Sequence, residues 1–79
     1  MEKASIEIKE GILRKIEDIK NTTESLVVKV GHLQVDLFNY PNKELEKVLD
    51  TLNKTFSEKH LQITEVFNKY EDEINHLKL

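Results

Sequence analysis

The chain has 79 residues, of which 34% are charged, 6% are aromatic and none is cysteine. This length supports a single domain with a small core, and the lack of cysteine excludes disulfides, thiolate metal sites and thiol nucleophiles. The formal net charge of −3 comes from interspersed acids and bases, which argues against a protein that coats nucleic acid with one basic face.

The chain contains no apolar run close to the ~18 residues that a membrane span needs. Its first residues, Met-Glu-Lys-Ala-Ser-Ile-Glu, also lack the apolar segment of a signal peptide. We therefore expect a protein made in the cytoplasm, which either stays there or is secreted without a cleaved signal peptide.

The first half of the chain carries apolar side chains at helical spacing. The stripe predicted to face another helix consists of Ile8, Ile12, Ile16, Ile19, Thr23, Leu26, Val30, Leu33 and Leu37. From Ile12 onward its steps alternate between four and three residues, which is close to the heptad period. We therefore predict a helix over about residues 5–38.

Residues 26–38 also fit a second interpretation. Their first part is rich in β-branched valine up to Gly31, and polar and apolar residues then alternate from His32 to Leu37, as in a two-stranded hairpin. The heptad steps that run through this segment favour the helix. In that helix Gly31 would cost about 1 kcal/mol relative to alanine, which is expected where a backbone must be approached closely.

The single proline lies near the midpoint of the chain, at Pro41. Proline cannot continue the first helix, but it fits the first turn of a second one, where the backbone amides have no helical partner. Asn39 and Asn42 are predicted caps, and Glu44 and Glu46 place negative charge at the start of the second helix. Pro41 is therefore predicted to mark a bend between two helices.

The second half carries one more helical stripe, which predicts a helix over about residues 42–77. The stripe consists of Leu45, Leu49, Leu52, Phe56, His60, Ile63, Phe67, Tyr70, Ile74 and Leu77. Facing residues of an antiparallel hairpin have a nearly constant sum of residue numbers, and pairs such as Leu37 with Leu45 and Ile8 with Ile74 share the sum 82. The fold class is therefore all-α, a single hairpin domain over residues 1–79 that we expect to complete a four-helix bundle with a second copy or a partner.

Two polar residues interrupt the otherwise apolar stripes, and the pairing places them opposite each other. Thr23 and His60 would form a polar layer in the seam between the helices, which costs stability but fixes the register. In the alternative interpretation both side chains lean out of the seam into water.

The first helix has further apolar residues beside its main stripe. They are Leu13, Val27, Val35 and Phe38, with Gly31 on the same side. We predict that these five residues form a docking face for a helical protein partner or for a second copy. The alternative is that they are scattered surface residues, which are normal in soluble proteins.

Candidate catalytic or metal-binding residues are few. His32 with Asp36, and Asp72 with His76, share helix faces at a spacing of four, as surface pairs commonly do. A metal site needs three or four converging ligands, and a catalytic site needs a concave pocket that two helices alone do not form. We expect no enzymatic activity, no metal and no cofactor.

The predicted hairpin turns at Phe38-Asn39-Tyr40-Pro41-Asn42, and its second helix contains the aromatic-x-x-x-acid pattern Phe67-Asn-Lys-Tyr-Glu71. This architecture resembles the small helical hairpins of the Trp-x-Gly (WXG) superfamily, in which Trp-x-Gly stands at the turn and an aromatic-x-x-x-acid signal near the C-terminus, and in particular the small proteins that accompany LXG toxins of Gram-positive bacteria. The resemblance implies a hairpin that pairs with the helical N-terminal region of a larger toxin for type VII secretion.

We therefore expect a non-enzymatic protein–protein interaction module, a small adaptor or targeting partner of a larger helical protein. One alternative is a homodimeric four-helix-bundle regulator that binds nucleic acid, although the lysines are mixed with acids. Another is an immunity or antitoxin protein. The sequence leaves open which partner is bound and whether the assembly contains one kind of chain or two.

Overall fold

The computed structural model describes residues 3–79 as two helices, α1 (Lys3–Asp36) and α2 (Lys43–Lys78), joined by a bend over residues 37–42. The helices are antiparallel and pack along their length, so that the Cα atoms extend over 57 × 15 × 14 Å. The prediction of an all-α hairpin is confirmed, and residues 3–79 contain no strand. Because α1 is continuous from Leu26 to Asp36, the β-hairpin interpretation of this segment is wrong.

The bend ends α1 with turn hydrogen bonds and begins α2 with a side-chain cap. The backbone N–H of Tyr40 donates to the carbonyl of Asp36 over 3.2 Å. Asn42 has the extended backbone of an N-cap, with φ −147° and ψ 105°, and its Oδ1 accepts a 3.0 Å hydrogen bond from the N–H of Leu45. This bond satisfies one of the four amides that a helix leaves unpaired at its start.

Three details of the predicted bend need correction. Helix α1 ends at Asp36 rather than 38, so that Leu37 and Phe38 lie in the turn. Pro41 precedes the cap instead of lying within the first turn of α2. The cap role belongs to Asn42 rather than to Asn39, whose backbone N–H donates to Asp36 inside the turn.

The predicted negative charge at the start of α2 is confirmed, and basic residues lie at its end. Glu44 and Glu46 lie in its first turn, and His76 and Lys78 lie in its last, where each sign is stabilised by the helix dipole. Lys78 also reaches back to α1, because its Nζ lies 2.6 Å from Glu10 Oε1. An ion pair therefore joins the two helices at the end opposite the bend.

The core consists of two clusters, one in each half of the hairpin. Leu13, Phe67 and Ile74 form the cluster near the open end, with Ile16 and Tyr70 packed against it. The cluster near the bend contains Val30, Leu37 and Leu49, supported by Leu52 and Phe56. The predicted stripe of α2 is therefore confirmed at Leu49, Phe67 and Ile74, which are all buried.

The predicted stripe of α1 is confirmed at Ile16, Val30 and Leu37, which lie in or against the core clusters, but it is wrong at other positions. Four members are exposed to solvent, namely Ile8, Ile12, Ile19 and Leu33, whereas Leu13 is only 3% exposed. The pair Ile8 with Ile74 is therefore wrong, because Leu13 provides the α1 side chain of that cluster. In the first half of α1, Ile16 and Thr23 of the predicted stripe stay in the seam. The face that packs on α2 is therefore rotated from the predicted one by less than the 100° between successive residues.

This rotation has a physical reason. Apolar residues of α1 fall on two neighbouring lines of the helix. Either line can pack against α2 if the polar side chains at the edge of the seam find favourable contacts. Lys20 lies at the edge of the observed seam, with its Nζ 4.8 Å from the centre of the Phe67 ring, so that its charge remains favourably placed. Gln34 Nε2 likewise donates to Asp50 Oδ1 over 3.3 Å.

Candidate interaction surfaces

The predicted polar layer is present at the middle of the seam. Thr23 Oγ1 lies 2.9 Å from His60 Nδ1 and 2.8 Å from the carbonyl oxygen of Lys20. The carbonyl can only accept, so the single hydroxyl proton of Thr23 is donated to Lys20. His60 Nδ1 must then carry a proton and donate to Thr23. Both residues are half-buried, and the interpretation that they lean apart into water is wrong.

One side of the hairpin presents an apolar surface that no other part of residues 3–79 covers. We call it the open face, and it consists of Ile12, Ile19, Leu26 and Leu33 on α1 and Leu45, Leu52 and Val66 on α2. The α1 members are seven residues apart, and the α2 members are seven or fourteen apart, so each set forms one line along its helix. Leu26 and Leu52 are half-buried, and the other five are 36–51% exposed.

A shallow groove shows that the two lines share one side of the molecule. Ile19 and Val66 line it together with Lys59, and its volume is about 310 Å³. Closer to the bend, Val48 extends the apolar surface, since it lines hollows beside both Leu45 and Leu52. The open face therefore runs over both helices rather than over α1 alone.

A separate groove lies next to the bend, with a volume of about 490 Å³. It lies on the opposite side of the hairpin from the open face, because Val35 in its lining follows Leu33 by two residues, or about 200° around the helix. From α1 and the turn it is lined by Gly31, Gln34, Val35, Leu37 and Phe38. From α2 it is lined by Glu46 and Asp50. We call it the bend groove. Its lining combines an apolar side with two carboxylates and contains no basic residue.

Of the five residues predicted to bind a partner, three lie in the bend groove and two lie elsewhere on α1. Leu13 is buried in the core, so its prediction as a docking residue is corrected, and Val27 is half-buried. Gly31, Val35 and Phe38 are brought together in the bend groove. Val35 and Phe38 are 59% and 83% exposed, which leaves their side chains accessible to a partner.

The open face was not predicted from the sequence, although a signal for it was present. Leu45 and Leu52 were assigned to the stripe that packs on α1, and together with Val66 they repeat at multiples of seven along one edge of it. Two apolar lines on the same helix indicate a stripe wider than one seam needs. The acids Glu46 and Asp50 carried no such signal, because their place beside Val35 depends on how the helices pair.

The histidines lie apart from any metal-binding arrangement. Residues 3–79 contain no group of three or more His, Asp or Glu side chains that could hold a metal ion. His76 Nδ1 donates to the backbone carbonyl of Asp72 over 2.8 Å, rather than to its carboxylate. Neither described helix has a stretch long and apolar enough to cross a membrane.

Comparisons of the chain with protein-family models, with curated proteins and with solved structures returned no match. The surfaces described above therefore carry the functional interpretation.

Proposed function

We propose that this protein is a non-enzymatic protein–protein interaction module whose open face packs against a helical partner. The observation that carries the proposal is the pair of apolar lines, Ile12 to Leu33 on α1 and Leu45 to Val66 on α2, on one side of the hairpin. Exposed apolar side chains that follow one side of both helices are typical of a site that another protein covers.

The exposed area supports the same proposal. A compact monomer of 9.3 kDa exposes about 5,000 Å², whereas this hairpin exposes 6225 Å². The surplus is larger than the ~800 Å² that each partner contributes to a standard interface. A partner that covers the open face would bring the exposed area into the range of a stable small protein.

The heptad pattern indicates what kind of partner fits. Two helices that pack only on each other need apolar residues at two of seven positions, whereas each helix of a bundle uses a third position beside the seam. Ile12, Ile19 and Leu33 occupy that third position on α1, and Leu45 and Val66 occupy it on α2. The pattern therefore favours a partner that supplies one or two further helices and completes a bundle.

Such a partner is either a second copy of the chain or a helical region of a larger protein. The resemblance to the small partners of LXG toxins favours the larger protein and a role as adaptor in type VII secretion. That setting stays a prediction, and the wide apolar stripe supports the helical partner in either case.

The proposal is tested by replacing two exposed residues of the open face, with the double variant Ile19→Glu, Val66→Glu. The matched control is Leu61→Glu, which changes a residue of α2 that is 61% exposed and lies outside the open face. Each tagged protein is purified gently from the cells that make it, and its mass is measured by light scattering.

We expect the wild type and the control each to have a mass above 9.3 kDa. Both should retain the same helical partner, or both should be associated with a second copy. The double variant should be a monomer that is still helical by circular dichroism. A wild type that is monomeric, or a double variant that keeps the partner, would contradict the proposal.

A further inference from the structure

The bend groove has the form of a second docking site, independent of the open face. Its base is Leu37, which is 7% exposed, and Val35 and Phe38 offer accessible apolar surface beside it. Its volume of about 490 Å³ lies in the range of sites that bind ligands, ~300–1,000 Å³. The groove can therefore receive one or two apolar side chains from another molecule.

Gly31 opens one side of this groove. A Cβ atom at Gly31 would meet nothing within 4 Å, so no contact within residues 3–79 requires glycine at this position in the middle of α1. Glycine costs about 1 kcal/mol there relative to alanine. The space beside its backbone is available to an incoming chain, which can approach the helix more closely than it could past a side chain.

The charges of the groove define its occupant further. Asp50 accepts a hydrogen bond from the neutral amide of Gln34, and neither Asp50 nor Glu46 forms an ion pair within residues 3–79. Both carboxylates line the groove, and no lysine or arginine does. A bound group with positive charge would gain from both acids, whereas an acidic group would be repelled.

We propose that the bend groove binds a short basic segment of a partner protein, in which an apolar side chain lies next to an arginine or lysine. The apolar side chain packs against Val35, Leu37 and Phe38, and the basic group pairs with Glu46 and Asp50. The open face lies on the other side of the hairpin, so both surfaces can be occupied together. The protein would then connect two binding partners, a role that goes beyond the single helical contact proposed above.

Two synthetic peptides provide the probe. The first is a short amphipathic helix with leucine and arginine one turn apart, and the second is its twin with glutamate in place of arginine. The readout is the backbone amide NMR spectrum of the whole protein. Its two glycines are convenient reporters, because Gly31 lies in the groove and Gly11 lies about 30 Å away along α1.

We expect the leucine–arginine peptide to shift the Gly31 signal and to leave the Gly11 signal in place, while the glutamate twin shifts neither. The double variant Glu46→Gln, Asp50→Asn preserves the shapes of both side chains but removes their charges. It should bind the leucine–arginine peptide about tenfold more weakly, which is the effect expected from the loss of two partly exposed ion pairs.

Four results would overturn the proposal. In the first two, the leucine–arginine peptide leaves the Gly31 signal unmoved, or it shifts the Gly11 signal as much as the Gly31 signal. In the third, the two peptides bind equally well. In the fourth, the Gly31 signal shifts when the protein concentration alone is raised, which would identify a second copy as the occupant. None of these results depends on the open face, whose contact is measured separately by the mass of the assembly.

Discussion

Thr23 and His60 meet across the seam near the middle of the hairpin, with 2.9 Å between Thr23 Oγ1 and His60 Nδ1. The apolar core clusters lie on either side of this contact. An apolar seam permits helices to slide by a turn with little loss, whereas a slide here would separate a half-buried donor from its acceptor. This hydrogen bond is therefore the contact best placed to fix the register of α1 against α2.

Single and double substitutions of this pair should have opposite effects. Thr23→Leu or His60→Leu alone leaves one partly buried polar group without its partner, and we expect a loss of about 1 kcal/mol in the free energy of unfolding. The double variant leaves neither group unpaired, and it should be as stable as the wild type or more stable. Urea unfolding followed by circular dichroism measures all four proteins.

The same double variant tests the register. We expect it to show more than one helix alignment or oligomeric state when residues near the bend and the open end are cross-linked. A double variant with a single set of cross-links, identical to that of the wild type, would show that packing alone sets the register.

Leu13 and Ile12 are neighbours in sequence, but the structure gives them opposite environments. Leu13→Ala removes buried side-chain volume from the core and should cost about 2–5 kcal/mol, enough to unfold much of a small hairpin. Ile12→Ala changes a side chain that is 43% exposed, and in dilute monomer it should alter stability by no more than about 0.5 kcal/mol. A larger loss for Ile12→Ala would place the predicted stripe, rather than the observed one, in the seam.

This pair of residues also shows how far the sequence determines the fold. The stripe of α2 was predictable because His60, Phe67 and Ile74 repeat every seven residues, and the helix surface on one side of this line is mostly polar. In α1 both Ile12 and Leu13 belong to apolar lines, and spacing alone cannot decide which line packs inward. The choice depends on contacts between distant residues, such as Lys20 with Phe67, which appear only once the helices are paired.

The candidate surfaces follow the same reasoning. Gly31, Val35 and Phe38 were predictable as a group because they are spaced four and three residues apart along the predicted first helix. Glu46 and Asp50 complete the bend groove from α2, and their position depends on the bend and on the rotation of both helices. The charge of the groove was therefore beyond what the pattern of α1 could indicate.

The start of α2 depends on a single side chain. Asn42→Ala removes the hydrogen bond to the N–H of Leu45, and we expect a loss of about 1 kcal/mol in the free energy of unfolding. Asn39→Ala is the matched control, because Asn39 contributes its backbone to the turn. Thermal unfolding monitored by circular dichroism compares the two, and equal effects would contradict the assignment of Asn42 as the cap.

Gly31→Ala should separate stability from binding. The added methyl group meets nothing within 4 Å, and alanine favours the helix by up to about 1 kcal/mol, so the variant should unfold at a higher urea concentration. The methyl group also narrows the bend groove, so the leucine–arginine peptide should bind more weakly. A variant that is more stable and binds the peptide as well as the wild type would show that Gly31 does not form part of the docking site.

The central claim is that another helical chain covers the open face, and thiol labelling measures that cover most directly. The chain has no cysteine, so Ile19→Cys and Leu61→Cys each provide one thiol, the first on the open face and the second outside it. Both variants are labelled in the gently purified assembly and again after unfolding in urea. We predict that the thiol at position 19 reacts much more slowly than the thiol at position 61 in the native assembly, and at a similar rate in urea. Equal rates in the native assembly would contradict the claim, because the open face would then be exposed to water.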